Sequence, residues 1–203
     1  MKILVLETDR RAADDAVRSL TDAGHEVARC HERDMPAFPC DALCDDGTCP
    51  LDDWVDVVLT MRAHPYPRPT PSEDGVVCGI RHHVPLVVGG TSALNPFASW
   101  TAGIADADGT DVVEACEAAA RRPLERHGRQ ATAEARRIVA GAGLPAERVD
   151  AVVRREPRRL AVDVTVPEDA DRRLGDIIAV RVAGVIRALD GYAGVIDVRV
   201  QTA

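Results

Sequence analysis

The N-terminal stretch KILVLETDRRAADDAVRSLTDAGHEVARC, residues 2–30, decides the fold of the first half of this chain. Residues 2–7 are a short apolar run that ends in a glutamate, which is typical of a buried parallel strand. Residues 10–23 place alanines, Val17 and Leu20 at helical spacing, and Gly24 ends this helix. Residues 25–30 form a second short strand. A strand, a helix and a strand within about 30 residues predict a right-handed βαβ unit and hence a parallel sheet.

The alternation of strands and helices continues to residue 122. Further strands are predicted over 55–59, 84–88 and 101–105, and helices over 73–83 and 111–122. One segment, 35–53, breaks the pattern because it contains three prolines and three cysteines and has no helical period. We therefore predict a wound α/β domain over 1–122 that carries a cysteine-rich loop at 35–53.

The second half of the chain has a different order of elements. Residues 123–130, which begin at Pro123, are predicted to form a linker, and 131–142 a helix. Strands are predicted over 149–155 and 160–166, followed by a long helix over 168–189 and a last strand over 195–200. The order αββαβ predicts a small α+β domain over 131–203, with its helices on one face of the sheet.

The composition is that of a globular protein, with 46% hydrophobic and 29% charged residues. No apolar run reaches the length that spans a membrane, and Glu7 and Asp9 follow directly on the first apolar run. We therefore expect a cytoplasmic protein with no membrane partner. Of the 25 basic residues, 24 are arginine and only Lys2 is lysine. A phosphate loop with its lysine, or a lysine Schiff base, is therefore not expected.

Charge is distributed unevenly between the two halves. Residues 1–120 carry 9 basic and 21 acidic residues, whereas residues 121–203 carry 16 basic and 12 acidic residues. An acidic first half argues against nucleic-acid binding there. The arginine pairs of the second half are interpreted as solvated faces or as contacts to an acidic surface.

Four stretches of the first half carry a resemblance to a known family. They are KILVL at 2–6, GHEV at 24–27, DVVL at 56–59 and VPLVV at 84–88. Over about 120 residues the chain resembles the receiver domain of bacterial response regulators. The resemblance implies a flavodoxin/receiver-like wound parallel sheet.

The residues that receivers use for phosphorylation are missing from this sequence. That family has an acidic pair after the first strand, an aspartate at the end of the third, a serine or threonine after the fourth and a lysine after the fifth. The first three positions hold Glu7-Thr8, Thr60-Met61 and Gly90, and the lysine is absent. The chain therefore resembles a pseudo-receiver, and we predict a non-catalytic regulatory or protein-interaction module that cannot be phosphorylated.

The second half is similar in element order to alkaline-shock proteins, to the cytoplasmic domain of cation-diffusion transporters and to the iron–sulfur scaffold domain. It lacks the C-x-x-C motif of the scaffold and the histidines of the transporter domain. Only the architecture is therefore implied by this resemblance, and no activity.

Cysteines and histidines are expected to meet at the carboxyl edge of the first sheet, because loops that follow parallel strands lie together there. Thiolate and imidazole are ligands that zinc or an iron cluster prefers. The candidate ligands are Cys30, His31, Cys40, Cys44, Cys49 and His64. Since C-x-x-C spacing is absent, free or structural cysteines are the alternative. Cys78 and Cys116, each inside a predicted helix, are expected to be small core residues.

A third possibility is an enzyme with its site at this same edge. The polar residues placed there by the predicted strands are Glu7, Asp9, Thr60, Thr91 and Ser92. The Gly89-Gly90-Thr91-Ser92 turn offers amides and hydroxyls that suit an anion, although a plain turn is the simpler interpretation. The residues name no substrate.

The second half is also predicted to mediate self-association as a homodimer. On the helix 168–189, one apolar stripe should cover its own sheet, and a second widens the apolar surface beyond what a small sheet needs. The first stripe is Leu174, Ile178, Val182, Val185 and Leu189, and the second is Ile177, Val180 and Gly184. The alternative is that this extra surface docks on the first domain.

Overall fold

The structure is a computed structural model, and it describes residues 1–8, 11–31, 40, 42, 47–105, 111–156, 159–190 and 194–202. Contacts divide the chain into two compact units, Met1–Ala120 and Arg121–Ala203. Each unit has its own sheet and its own core, and each is described by itself.

The first unit contains a five-stranded parallel sheet in the order β2-β1-β3-β4-β5. Its strands are β1 (Lys2–Glu7), β2 (Glu26–Arg29), β3 (Val57–Arg62), β4 (Leu86–Gly90) and β5 (Thr101–Ile104). Its helices are α1 (Asp14–Asp22), α2 (Asp74–Arg81) and the first part of α3 (Val112–Gly141). The strand order is that of flavodoxin- and receiver-like folds. The predicted wound parallel sheet is therefore confirmed.

Both faces of this sheet are buried, which explains the continuous apolar runs in its strands. Alternate residues of β1 face opposite sides, so that Ile3 packs with α1 and α3 while Leu4 packs with α2. Each fully buried side chain of this kind contributes roughly 1.5–3 kcal/mol to folding.

The third strand runs further than the sequence predicts. It was expected over 55–59, and it extends to Arg62, which pairs in register with Gly90 of β4. The physical reason is that the Arg62 side chain is buried and pairs with the carboxylate of Glu73. A charged residue can therefore continue this buried strand. The candidate residue Thr60 consequently lies inside β3 rather than after it.

The second unit contains a three-stranded sheet in the order β6-β7-β8. Its strands are β6 (Asp150–Glu156), β7 (Arg159–Val166) and β8 (Val195–Thr202), and α4 spans Arg172–Leu189. β6 and β7 are antiparallel, whereas β7 and β8 are parallel. This element order agrees with the predicted αββαβ succession. The core joins Ala135 of α3 and Ile178 of α4 to Val162 of β7.

The predicted linker over 123–130 is wrong, because these residues lie inside α3, which is continuous from Val112 to Gly141. Pro123 stands within this helix. A proline removes one backbone donor and its ring crowds the preceding turn, yet strong helix formers flank it on both sides. Leu124 packs against the second core, and His127 is buried. Helix packing thus outweighs the local signal of the proline.

The two predicted stripes of α4 differ in burial. Ile178 and Val182 of the first stripe are fully buried, as is Ile186. In the second stripe, Ile177 is 45% exposed and Val180 is 72% exposed. Among the helices that the structure describes, none combines the length and apolar character needed to cross a bilayer.

Candidate functional site

A buried ion pair lies at the carboxyl end of β3, where the receiver resemblance would place a phosphorylation site. Arg62 donates through Nε to Oε1 of Glu73 at 3.0 Å, and both side chains are 0% exposed. Arg62 also donates through Nη2 to the carbonyl oxygen of Tyr66 at 2.6 Å. Its Nη1 has no hydrogen-bond partner among the described residues. The end of β3 is thus occupied by a cation with its own carboxylate.

Glu73 reaches this position from a short 3-10 turn, Pro71–Glu73, that leads into α2. Its Oε2 accepts a hydrogen bond from the backbone amide of Thr70 at 2.9 Å. The pattern Thr70-x-x-Glu73 is the sequence signature of a helix start, in which the glutamate bonds back to the chain. This signal is present in the sequence, but the ion pair cannot be predicted from it, because nothing local in the sequence connects Glu73 to Arg62.

The end of β4 lies directly against the backbone of Arg62. Gly90 has φ of 75°, and a Cβ at this position would overlap the carbonyl oxygen of Arg62. The amide of Thr91 donates to that same carbonyl at 2.9 Å. Only glycine tolerates both the left-handed backbone and the close approach. The predicted turn over 89–92 is therefore wrong, because Gly89 and Gly90 lie inside β4, where Gly90 allows the close packing of β4 on β3. Ser92 is exposed.

Glu7, the first of the candidate edge residues, is buried and fully engaged. Its Oε2 accepts from the amide of Ala13 at 3.0 Å, and its Oε1 accepts from Nη1 of Arg29 at 3.1 Å. The carboxylate thus joins β1 to the start of α1 and to β2. Asp9, which would complete an acidic pair with it, lies outside the described residues.

Thr60 is the one candidate edge residue whose polar atom is both buried and unbonded. It is 0% exposed, and its hydroxyl oxygen has no hydrogen-bond partner among the described residues. In register it stands between Leu6 and Val88. The Thr60 hydroxyl is thus buried, and its neighbours on the two flanking strands are apolar residues.

The structure places two of the candidate cysteines, and also Cys78, on α2 or on the sheet face that α2 covers. Cys30 and Cys49 both pack against the core under α2, and a Cβ on Gly75 of α2 would touch the Cys30 sulfur. Cys78 was predicted to be a core residue, and this is wrong, because it is exposed on α2. Partial burial and the charges of Cys49 and Cys40 raise the pKa of the Cys78 thiol. At neutral pH this thiol is therefore protonated and a weak nucleophile.

Cys116 is buried in the first core, as predicted, and burial raises the pKa of its thiol to about 12. Of the other predicted metal ligands, His64 is exposed and stacks edge-on against Tyr66, with ring centroids 6.1 Å apart. His31 is half-buried, and Cys44 lies outside the described residues. Within the part of the chain that the structure describes, no three His, Cys, Asp or Glu side chains are placed to share a metal ion. The zinc or iron site stays a prediction.

The described residues of the second unit line two grooves. One, of about 650 Å³, runs between α3 and β6, and its lining combines aliphatic or small residues such as Leu124, Gly128 and Val152 with charged residues, three of which are arginines. The other, of about 480 Å³, lies between α4 and β8 and likewise has both apolar and charged residues in its lining.

No protein-family model matches this chain, and no curated protein matches its sequence. The fold and the edge described above define the class of protein by themselves. It is an α/β protein whose first unit has the strand order of flavodoxin- and receiver-like folds, joined to a second unit with a mixed three-stranded sheet.

Proposed function

We propose that this protein is a non-catalytic regulatory or protein-interaction module, built on a receiver-like domain that cannot be phosphorylated. The observation that carries the proposal is the buried Arg62–Glu73 ion pair at the end of β3. In a wound parallel sheet, ligands and reactive groups gather at this edge. In the part of this edge that the structure describes, the side chains at the ends of β1 and β3 are bonded to other groups of the fold.

Phosphoryl transfer needs a free carboxylate nucleophile and a cationic clamp around the transferred group. Among the described residues, Glu7 and Glu73 are buried carboxylates at the ends of β1 and β3, and each accepts two hydrogen bonds from within the fold. Arg62, which could act as a clamp, already binds Glu73. The groups that chemistry would require are therefore committed to holding the fold together.

The same argument weighs against an enzyme at this edge. Of the five polar candidates, the Glu7 carboxylate is bonded within the fold and the Thr60 hydroxyl is buried, whereas Ser92 is exposed and Asp9 lies outside the described residues. Interaction through a surface needs none of these groups to react. A stable scaffold with its edge filled is therefore better suited to binding a protein partner than to turnover.

Incubation of the full chain with acetyl phosphate and Mg²⁺ tests this proposal, with a phosphorylatable receiver domain as the positive control. We expect the intact mass of the chain to stay unchanged while the control gains one phosphoryl group. Beryllofluoride should likewise leave the melting temperature of this chain unchanged. A hydroxylamine-labile acyl phosphate on the chain would contradict the proposal.

A further inference from the structure

The second sheet has two edge strands, β6 and β8, and they differ in whether other groups of the chain bond their outer backbone. On the outer edge of β6, the Thr132 hydroxyl of α3 accepts from the amide of Ala151 at 2.9 Å. The Arg136 side chain donates through Nε to the carbonyl oxygen of Val149 at 3.0 Å. Helix α3 thus satisfies backbone groups at the start of this edge, which closes this part of it to another strand.

The outer edge of β8 has no comparable cover. Among the described strands, β8 pairs only with β7, and no described side chain is bonded to its backbone. β8 is eight residues long, VIDVRVQT, and contains neither a proline nor a lysine. Proteins usually protect a long edge strand with such residues, with a bulge or with a covering helix. A long regular edge without them is suited to pairing with another strand.

The side chains of β8 are also less buried than their position implies. Ile196, Val198 and Val200 face the helices, yet all three are only half-buried. Beside them lies the groove of about 480 Å³ between α4 and β8, bounded by Gly175 and Ala179. The apolar layer of this unit is therefore unfinished along the β8 edge, and another apolar strand would complete it.

We propose that the partner at this edge is a second copy of the same chain, whose β8 pairs antiparallel with the first β8 about a two-fold axis at Val198. The pairing would join the two three-stranded sheets into one continuous sheet of six strands. This inference rests on the proposed interaction function, and it names the partner and the surface.

The charges on β8 select this register. In an antiparallel pair about a two-fold axis, the numbers of two opposed residues add up to twice the number of the residue on the axis. With the axis at Val198, Asp197 of each copy therefore stands opposite Arg199 of the other. On the helix-facing side the same register sets Val198 against Val198 and Ile196 against Val200. Opposite charges and apolar pairs directly across an antiparallel pair each stabilise it.

The neighbouring registers are unfavourable. An axis at Asp197 would oppose the two aspartates, and an axis at Arg199 would oppose the two arginines, so like charges would face each other directly. If the axis lay midway between two residues of β8, apolar residues of one strand would stand opposite polar residues of the other. The sequence of β8 is thus complementary to itself in one register.

The charges at this edge are available for such pairing. Within one chain Asp197 is 3.3 Å from Nη2 of Arg199 and 3.5 Å from Nη1 of Arg159, both long contacts near the surface. The Arg199 side chain is 61% exposed. Exposed pairs of this kind contribute little, so exchanging them for cross-strand pairs costs little.

Charge reversal on the full chain tests the pairing. We expect the wild-type chain to show about twice its 21.8 kDa monomer mass by light scattering at micromolar concentration. Asp197→Arg alone and Arg199→Asp alone should each weaken the dimer at least about tenfold, because both cross-strand pairs become like-charged. The double variant Asp197→Arg/Arg199→Asp should restore the dimer, because the pairs form again with reversed polarity.

Mixing the two single variants supplies a further check, since one chain would then present two arginines and the other two aspartates. This mixture should form a heterodimer.

Circular dichroism on each variant verifies that the fold is retained. As an independent measurement of register, Val198→Cys in a Cys78→Ser background, which removes the exposed native thiol, should give a disulfide-linked dimer under mild oxidation, whereas Ile196→Cys in the same background should not.

A wild-type chain that stays monomeric up to a protein concentration of about 100 micromolar would overturn the proposal, because this is on the order of the dissociation constant of a weak specific dimer. So would a dimer that neither single variant weakens, which would place the interface on the exposed face of α4 or elsewhere. Restoration that fails in a folded double variant would overturn the register. None of these results depends on acetyl phosphate labelling, so failure here is distinguishable from failure of the proposed function.

Discussion

Arg62 and Glu73 are eleven positions apart and form the one ion pair in the described first unit in which both side chains are fully buried. Burying two charges costs several kcal/mol each, and close contact with further hydrogen bonds offsets this cost. Glu73 completes the arrangement by binding the amide of Thr70. The pair therefore holds the start of α2 against the end of β3.

Removing one charge of this pair should destabilise the first unit strongly. We expect Glu73→Gln to lower the free energy of unfolding by about 3–5 kcal/mol, because Arg62 would remain buried without a counter-charge. Urea unfolding followed by far-ultraviolet circular dichroism measures the change.

The matched control is the double variant Arg62→Met/Glu73→Leu, which replaces both charges with apolar groups of similar volume. It should lose much less stability than Glu73→Gln, since no charge is left unpaired. If Glu73→Gln unfolds at the same urea concentration as the wild type, then the pair is not buried as described.

At the scale of elements, α3 acts as a cover for the edge of β6. Thr132 and Arg136 lie one turn apart on this helix, and each bonds the backbone at the edge of β6 or just before it. Gly128 lies close beside, since a Cβ there would stand 3.2 Å from the carbonyl oxygen of Ala151. A helix that approaches a strand so closely leaves no room for another strand over this part of the edge.

Thr132→Ala should open the covered edge of β6. The change leaves the half-buried amide of Ala151 without an acceptor, which costs about 1–3 kcal/mol. Hydrogen exchange at Ala151 should speed up accordingly. Thr132→Ser keeps the hydroxyl and should leave exchange at that amide close to the wild-type rate. Equal exchange in the alanine and serine variants would show that the Thr132 bond does not protect the edge.

The continuity of α3 also shows how packing along a helix competes with a local breaking signal. Pro123 costs the helix roughly 3 kcal/mol relative to alanine. On the C-terminal side of the proline, Leu124, Ala131 and Ala135 pack against the second core. Several such contacts together outweigh the loss of one backbone bond.

For the molecule as a whole, pH acts on stability through a buried histidine in the second unit. Burial lowers the pKa of His127, with Arg155 and Arg126 adding to this effect and Asp190 opposing it. Its Nδ1 has no hydrogen-bond partner among the described residues, and the side chain is 4% exposed. The native state therefore favours the neutral ring.

Stability should fall as pH drops below about 6.5, the ordinary pKa that His127 regains in the unfolded chain. Below this value the unfolded state binds the proton more readily than the native state, so protonation favours unfolding until the native histidine is itself protonated. Urea unfolding from pH 7.5 to 5 measures this slope. His127→Gln, which cannot be protonated, should flatten it.

A separate group acts at lower pH. Hydrogen bonds from Arg137 and Arg181 lower the pKa of Glu134 to about 2, so the stability it contributes is lost only as pH falls from 4.5 toward that value. Glu134 therefore does not contribute to a change in the free energy of unfolding above pH 5, where we expect His127 to act. An unchanged slope in His127→Gln would assign the pH dependence to another group.

The alternation of strands and helices in the first unit and the αββαβ succession in the second follow from the sequence by itself. The reason is that alternation of apolar residues, turn residues and helix periods act over a few neighbouring positions, which are visible in one dimension. Glu7 and Thr91 could likewise be placed near the ends of their strands. What the sequence could not supply is whether such residues are free, because burial and bonding depend on side chains brought in from elsewhere.

Only the tertiary structure decided which polar groups meet. It joined Arg62 to Glu73, placed Cys78 on the surface of α2, and carried α3 through Pro123. It also left β8 with an open edge while covering β6. Each of these results depends on contacts between segments far apart in the chain, and their free energies exceed the local preferences that a sequence pattern records.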